Sequence, residues 1–518
     1  MLSTTNIISL IAIVAYLGIV LFVGFRFAKR NESTSDFYLG GRKLGPFVTA
    51  MSAEASDMSS WLLMGLPGLA YVSGMADAMW TAIGLAVGTY VNWLLVAKRL
   101  RLYTKKTESF TLPQFFSNRF HDKKNILCMI SALVIIVFFI PYTASGFAGC
   151  GKLFHTKFGI DYMAAMIITA VIIIIYTSVG GFLAASTTDF IQSIIMTGAI
   201  GFVLIFSLVK ADGIGAVIEN AKSLPGYFSM TSTYSPATNT SSVYGLLTII
   251  TTLSWGLGYF GMPHILLRFM AIEDENKLKL SRRVASVWVV IAMCLAIFIG
   301  IVGNAMAANG TIPSLFVVEG EGVINNSETI IVEIANLISS YGIIPAFIAG
   351  LVLAGILAST MSTADSQLLA ASSCISQNIL QEVFHIKISK KTSMIIARVT
   401  VVVISAIAIF LARNPESSVF KIVSFSWAGF GAAFGPLVLC SLFWKRTNLP
   451  GAIAGMISGG IMVFVWKFLV RPLGGLFDVY ELLPAFLISL IFIILVSLVT
   501  KAPDEEIQKE FDEVKALN

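Results

Sequence analysis

Thirteen apolar runs of spanning length succeed one another along this 518-residue chain, and they dictate what it can fold into. They lie at about 6–25, 46–72, 76–97, 126–149, 159–179, 186–209, 243–266, 284–307, 342–376, 393–412, 419–443, 450–470 and 481–500. Each is near the roughly 20 residues that carry an α-helix across a bilayer. Charged residues make up 12% of the chain, about half of the roughly 25% usual in soluble proteins. The chain therefore reads as an all-α polytopic membrane protein. The first run has no basic region before it and no small-residue cleavage site, so it is a retained helix rather than a signal peptide. The stretch at 329–340 is too short to span and reads as a helix lying in a loop.

An odd number of spans places the termini on opposite sides of the membrane. With the N-terminus outside, 27 of the 35 Lys and Arg residues, Arg268 among them, fall in inner loops and the tail, and 8 fall outside. The positive-inside rule then gives N-out, C-in. The net charge of +6 is accounted for by this bias and carries no implication of nucleic-acid binding. Cys128, Cys150, Cys294, Cys374 and Cys440 show no paired spacing and read as small core residues rather than a metal or disulfide framework. No metal-ligand cluster, nucleophile–base pair or nucleotide loop stands out, which argues against an enzyme. Gly180 with Gly181, and Gly459 with Gly460, read as close helix contacts. The charged, helix-permitting tail at 502–518 is assigned no role.

Three spans break the apolar rule. In the first, residues 52–61 read Ser-Ala-Glu-Ala-Ser-Asp-Met-Ser-Ser-Trp, two acids and four serines in ten positions. An ionised Asp near a bilayer midplane costs roughly 2.5–3.5 kcal/mol on insertion scales, so such a segment wants a partner. In the second, residues 254–264 read Ser-Trp-Gly-Leu-Gly-Tyr-Phe-Gly-Met-Pro-His, which will not hold a regular helix. Unwound backbone at membrane depth is tolerated only where it is buried in protein or lines a cavity, and broken helices in two halves of a chain point to a transporter's binding site. In the third, Ser359, Ser362, Thr363 and Ser366 follow i, i+3, i+4, i+7 spacing and form one hydroxyl stripe. Such a stripe serves either as interhelical glue or, beside two broken helices, as hard neutral ligands suited to an alkali cation. The second reading is the better fit here. Asp189 is either a solvated carboxylate at a helix start or part of a site; Asp77 reads as ordinary surface.

These residues resemble the sodium/solute symporter family, and within it most closely the sodium/proline symporters, over about residues 5–505. The likeness is carried by Leu-Gly-Gly-Arg-Lys-Leu-Gly-Pro-Phe (39–47), Ser-Asp-Met-Ser-Ser-Trp-Leu-Leu-Met-Gly-Leu-Pro-Gly (56–68) and Gly-Gly-Phe-Leu-Ala (180–184). It continues in Trp-Gly-Leu-Gly-Tyr-Phe-Gly-Met-Pro-His-Ile-Leu (255–266), Met-Ser-Thr (361–363) and Ser-Trp-Ala-Gly-Phe-Gly-Ala-Ala-Phe-Gly-Pro (426–436). The resemblance implies the leucine-transporter fold, with a leading helix and inner loop at 1–44 and inverted five-helix repeats at 45–210 and 211–445. Two trailing helices at 446–500 and a cytoplasmic tail at 501–518 complete it. It implies a sodium site made of the Ala55, Met58 and Ser359 carbonyls and the Ser362 and Thr363 hydroxyls, with Asp57 as ligand or source of field. It further implies a solute site of Trp61, Tyr142, Trp255, Tyr259 and Pro263, edged by Ser59 and Gly65. Physically, a pyrrolidine ring suits aromatic walls, its ammonium can sit over a ring face, and its carboxylate can meet the positive end of a half-helix.

Some members of the family carry a second sodium site built on an acid matching Asp189. Here Asp365 stands where a hydroxyl would, making Asp189, Asp365 and Ser366 a candidate second cation or proton site. An added carboxylate could strengthen such a site, bind a proton or pair with a basic residue; one sodium per cycle is the expectation. Glu54 has no assigned partner. The function implied is sodium-coupled import of L-proline by alternating access in the plasma membrane, with Na+ as coupling ion and no protein or nucleic-acid partner. The alternatives are another small carboxylate or compatible solute, or proton coupling. A membrane sensor is a further class, but no kinase or regulator domain follows the last span.

Overall fold

The computed structural model describes residues 3–28, 34–319 and 322–517. Lys29 and Arg30, counted above with the inner loops, and Asn518 in the tail lie outside them. The chain begins with α1 (Thr4–Ala28), the short α2 (Thr34–Leu39) and α3 (Pro46–Ser60). The last of these continues through a wide-turn segment, Trp61–Gly65, into α4 (Leu66–Ser73). Next come α5 (Met75–Lys106), the loop helix α6 (Leu112–Arg119), α7 (Ile126–Phe158), α8 (Tyr162–Lys210) and α9 (Gly213–Ser223). A hairpin of β1 (Ser232–Ser235) and β2 (Thr240–Val243) leads to α10 (Leu246–Leu253), a tight-turn segment Ser254–Gly261, α11 (Pro263–Ala271) and α12 (Leu278–Ala308). A second hairpin, β3 (Phe316–Glu319) and β4 (Gly322–Asn325), precedes α13 (Ile330–Ser339), α14 (Ile343–Ser373) and α15 (Lys390–Leu411). The chain closes with α16 (Val419–Phe443), α17 (Leu449–Val465), α18 (Leu482–Val499) and α19 (Glu505–Leu517).

Ten helices among the described residues are long and apolar enough to cross a membrane, and Tyr162–Ser178 and Leu246–Gly261 are shorter apolar ones. Burial sorts them. The most apolar window of Val419–Phe443 is 78% buried and that of Ile343–Val383 67%, against 22% for Leu449–Leu473. The innermost helices are thus α14 and α16, and α14 carries the hydroxyl stripe. It packs against α1, α3, α7 and α8. Ser9 of α1 donates to the Ala346 carbonyl at 2.8 Å. A side chain on Gly350 would overlap the Ser9 backbone, so this helix pair meets backbone to backbone.

Residues 159–179 and 186–209, read as separate spans, form the two halves of α8, which meet at Gly181, whose φ of 68° and ψ of −178° turn the chain sharply. Gly181 is thus a bend that a side chain would strain, and a Cβ on Gly459 would strike the Ala432 carbonyl, as expected of helix packing. The tail, assigned no role from its sequence, packs against the helices beside it. Ile507, Phe511 and Val514 of α19 are buried, with the Arg99 and Arg119 guanidinium groups each 5.4 Å from the Phe511 ring. Lys106 to Glu513 and Lys445 to Asp512, both at 2.6 Å, fasten its outer face. The helix lying in a loop is present as α13, and all five cysteines are free, four of them buried.

Candidate functional site

Both predicted breaks are present, and each has a local cause. Ser59 adopts φ 43° and ψ −169°, a left-handed backbone that ends α3 as a regular helix. Its hydroxyl accepts the Trp61 N–H at 3.1 Å, closing the turn from within. In the second break, a Cβ on Gly256 would collide with the Gly84 carbonyl and one on Gly258 with the Trp427 indole. Those glycines are there because backbone and ring must approach closely. Met262 is extended, and Pro263 opens α11, where its missing N–H costs no hydrogen bond.

The end of α3 lies against α14. The Ser362 hydroxyl donates to the Ala55 carbonyl at 2.8 Å and lies 3.2 Å from the Ser359 carbonyl. Thr363 donates to the same Ser359 carbonyl at 3.0 Å. Ala55, Ser359, Ser362 and Thr363 therefore form one buried group of neutral oxygens. Met58 lies almost one turn further along α3, and its carbonyl receives the Trp61 N–H. The Asp57 carboxylate faces elsewhere: its Oδ2 accepts from Tyr259 at 2.6 Å, while its backbone carbonyl accepts from Tyr142 at 3.1 Å. It joins the two broken helices rather than the hydroxyl stripe. Hard uncharged oxygens of this kind are the donor set an alkali cation takes.

Aromatic rings cover the neighbouring space. Trp61 and Trp255 have ring centroids 5.9 Å apart, and Phe420 lies 6.1 Å from the first and 5.3 Å from the second. Tyr480 stacks on Trp255 at 5.1 Å, and Trp427 meets Tyr259 edge-on at 5.0 Å while donating to the Trp255 carbonyl. Gly65 forms part of the wall, since a Cβ there would stand 3.3 Å from the Trp61 ring. The Trp61 indole N–H is buried without a partner among the described residues, a donor suited to a ligand. Sequence reasoning missed Phe420, Trp427 and Tyr480. Phe420 is held in place by Glu328, whose carboxylate accepts from Ser418 Oγ at 2.8 Å, from the Val419 and Phe420 N–H groups at 3.2 Å each, and from Lys152 at 2.6 Å. An acid at a helix N-terminus is favourable there.

The second cluster corrects the reading of Arg268 as an inner-loop residue. It is 1% exposed, inside α11. Its Nε donates to Ser52 Oγ at 3.0 Å, Nη1 to the His264 carbonyl at 2.9 Å, and Nη2 to Asp189 Oδ2 at 3.1 Å and Ser366 Oγ at 2.5 Å. Asp189 also accepts from Ser52 at 2.6 Å and is fully buried, which excludes the solvated-carboxylate reading. Asp365 accepts from Ser366 at 3.1 Å through Oδ1. Its Oδ2 and Asp189 Oδ1 have no partner among the described residues. Glu54 has a partner after all, the Trp93 indole at 3.0 Å, which binds one of its two oxygens. Asp77, read as ordinary surface, accepts from Tyr244 at 2.8 Å.

Residues 37–459 match the profile described as the sodium:solute symporter family. The chain is 39% identical over 517 residues to sodium/proline symporter 2 of Staphylococcus saprophyticus, covering 98% of this chain and 96% of that protein. It is 40% identical over 511 residues to the sodium/proline symporter of Escherichia coli K12, with the same coverage. Among solved structures, a Na+-coupled sialic acid symporter in a substrate-bound outward-open state superposes with a TM-score of 0.77 at 20% identity, over 96% of this chain and 99% of that one. A nucleobase-cation-symport-1 family transporter in a closed conformation gives 0.56 at 14% identity, over 93% and 99%. Broken helices, buried oxygen cluster, sequence and fold agree, and the chain belongs to the sodium:solute symporter family.

Proposed function

We propose that this protein is a sodium-coupled symporter that imports L-proline across the plasma membrane by alternating access. The observation that carries the reading is the 2.8 Å contact between the Ser362 hydroxyl and the Ala55 carbonyl, which sets neutral oxygens of α3 and α14 together beside the aromatic walls. Sodium sits among the Ala55, Met58 and Ser359 carbonyls and the Ser362 and Thr363 hydroxyls, with Asp57 supplying field through its link to Tyr259. Binding there fixes α3 against α14 and completes the solute pocket of Trp61, Tyr142, Trp255, Tyr259 and Pro263, with Ser59 and Gly65 at its edge. Each ligand raises the other's affinity, because coupling between sites is reciprocal. The likeness to sodium/proline symporters and these ring walls support proline as the solute.

The arrangement in the membrane is part of the proposal. The ten long helices, the two shorter ones and the split α3–α4 pair make thirteen passes if each crosses once. The basic-residue bias supports N-out, C-in. The units follow as 1–44, the two repeats 45–210 and 211–445, the trailing pair 446–500 and the tail 501–518. Inward transfer of one positive charge gains about 2.3 kcal/mol per 100 mV, so uptake is electrogenic. In proteoliposomes, labelled proline accumulates under an imposed sodium gradient and not under a proton gradient of equal size at the same voltage. Accumulation driven by protons alone, or none of proline, overturns the reading.

A further inference from the structure

We propose that Glu54, Thr89 and Asn92 form a site for a resident alkali cation between α3 and α5, apart from the Ala55 and Ser362 oxygens and independent of which solute is carried. Glu54 is 1% exposed, and Thr89 and Asn92 are fully buried. Thr89, Asn92 and Trp93 follow i, i+3, i+4 spacing on α5 and so share one face. That face lies against both broken helices. The Trp93 indole donates to Glu54 Oε1 at 3.0 Å, and the Asn92 amide donates to the Tyr259 carbonyl at 3.0 Å. A Cβ on Gly88 would strike the Gly256 carbonyl, so α5 and the tight-turn segment meet backbone to backbone. Three oxygens are left over at this contact. Glu54 Oε2, Thr89 Oγ1 and Asn92 Oδ1 are all buried without a partner among the described residues.

Charge decides what those oxygens are for. Glu54 and Asp57 lie within one turn of each other on α3, and among the described residues no basic side chain bonds to either carboxylate. Arg268 is already engaged by Ser52, His264, Asp189 and Ser366. A buried carboxylate without a counter-charge is strongly disfavoured. A water molecule would satisfy the hydrogen bonds and leave the charge. An alkali cation neutralises the charge and takes carboxylate, hydroxyl and amide oxygens together as hard ligands. The Trp93 ring packs on Phe269 with centroids 4.4 Å apart, so rings wall the acid on one side. A full negative charge in a closed site holds its ion more tightly than neutral oxygens do. This cation therefore stays while the one at Ser362 exchanges, tying α3 to α5 and, through Tyr259, to the second break.

The test is elemental analysis of the protein in lipid nanodiscs, prepared with sodium and potassium both present and then passed into choline chloride. The wild type keeps about one alkali ion per protein, and the element found identifies it as sodium or potassium. Ser362→Ala with Thr363→Ala keeps the same ion, which sets this site apart from the exchanging one. Glu54→Gln, whose amide oxygen can still accept from Trp93, keeps at least about tenfold less. Thr89→Val, which exchanges the hydroxyl for a methyl of similar size, also keeps less than wild type. A wild type that keeps no ion, or a Glu54→Gln protein that keeps as much as wild type, overturns the inference. If Glu54→Gln does not fold, Thr89→Val decides, and retention equal to wild type overturns it. Absence of sodium-driven uptake would instead fail the carrier reading and leave the ion count untouched.

Discussion

Two polar clusters lie between α3 and α14 about one helical turn apart, and they are built on opposite principles. At the Ala55 and Ser362 contact every oxygen is a carbonyl or a hydroxyl, and among the described residues no basic side chain is bonded there. At the Arg268 cluster the counter-charge is covalently part of the chain and paired with Asp189. Uncharged ligands let a cation come and go, because its departure strands no buried ion. A buried carboxylate would hold its partner tightly and leave a costly orphan behind. The two arrangements suit different ends: a fixed charge that ties the helices together, and uncharged oxygens from which a cation can leave.

Breaking the first cluster, or removing the Asp57 charge that joins the two broken helices beside it, should have the largest effect on coupling. Asp57→Asn, and Ser362→Ala with Thr363→Ala, raise the sodium needed for half-maximal uptake by at least about tenfold, equivalent to about 1.4 kcal/mol. Protein in the membrane stays within about twofold of wild type. Unchanged sodium dependence in both variants would detach these residues from the ion. The ring walls come next. Trp255→Ala or Phe420→Ala weakens proline competition at saturating sodium by about tenfold, roughly 1.4 kcal/mol, while the sodium optimum moves little; unaltered competition curves would remove the rings from the pocket.

Disturbing the second cluster without removing its charge should look different. Ser52→Ala deletes hydrogen bonds to Arg268 and Asp189, and bonds to charged groups are worth about 1.5–3 kcal/mol. Thermal stability in detergent drops accordingly, with the sodium coupling ratio intact. A stable Ser52→Ala protein with altered ratio would merge the two clusters into one. Smallest of all is Lys445→Ala on the exposed face of α19, where a surface pair contributes about 0–1 kcal/mol. Uptake there stays within about twofold of wild type, and a larger loss would make the tail part of the transport machinery.

The first cluster was legible in the sequence and the second only half so, for physical reasons. Periodicity exposed the Ser359 to Ser366 stripe, and glycine with proline exposed the breaks, since both are local properties. Arg268 was lost because a basic residue near the end of an apolar run reads as loop, and only the fold shows α11 continuing past it. The missing signal was the demand of Asp189 and Asp365 for a counter-charge. Phe420 and Tyr480 reach Trp255 from elements far along the chain, a tertiary fact with no local trace. The tail, in contrast, did carry a signal: Ile507, Phe511 and Val514 follow i, i+4, i+7 spacing, the mark of a helix with one face to bury.

Coupling between the α3–α14 oxygens and the aromatic pocket is the centre of this account, and equilibrium binding addresses it most directly. Labelled proline is titrated into purified protein in lipid nanodiscs with and without saturating sodium, in the wild type and in Ser362→Ala with Thr363→Ala. Sodium should tighten proline binding by at least about tenfold in the wild type and leave the double variant unmoved, a coupling free energy within the usual 1–3 kcal/mol. Proline affinity that ignores sodium in the wild type, or responds equally in the double variant, would contradict it.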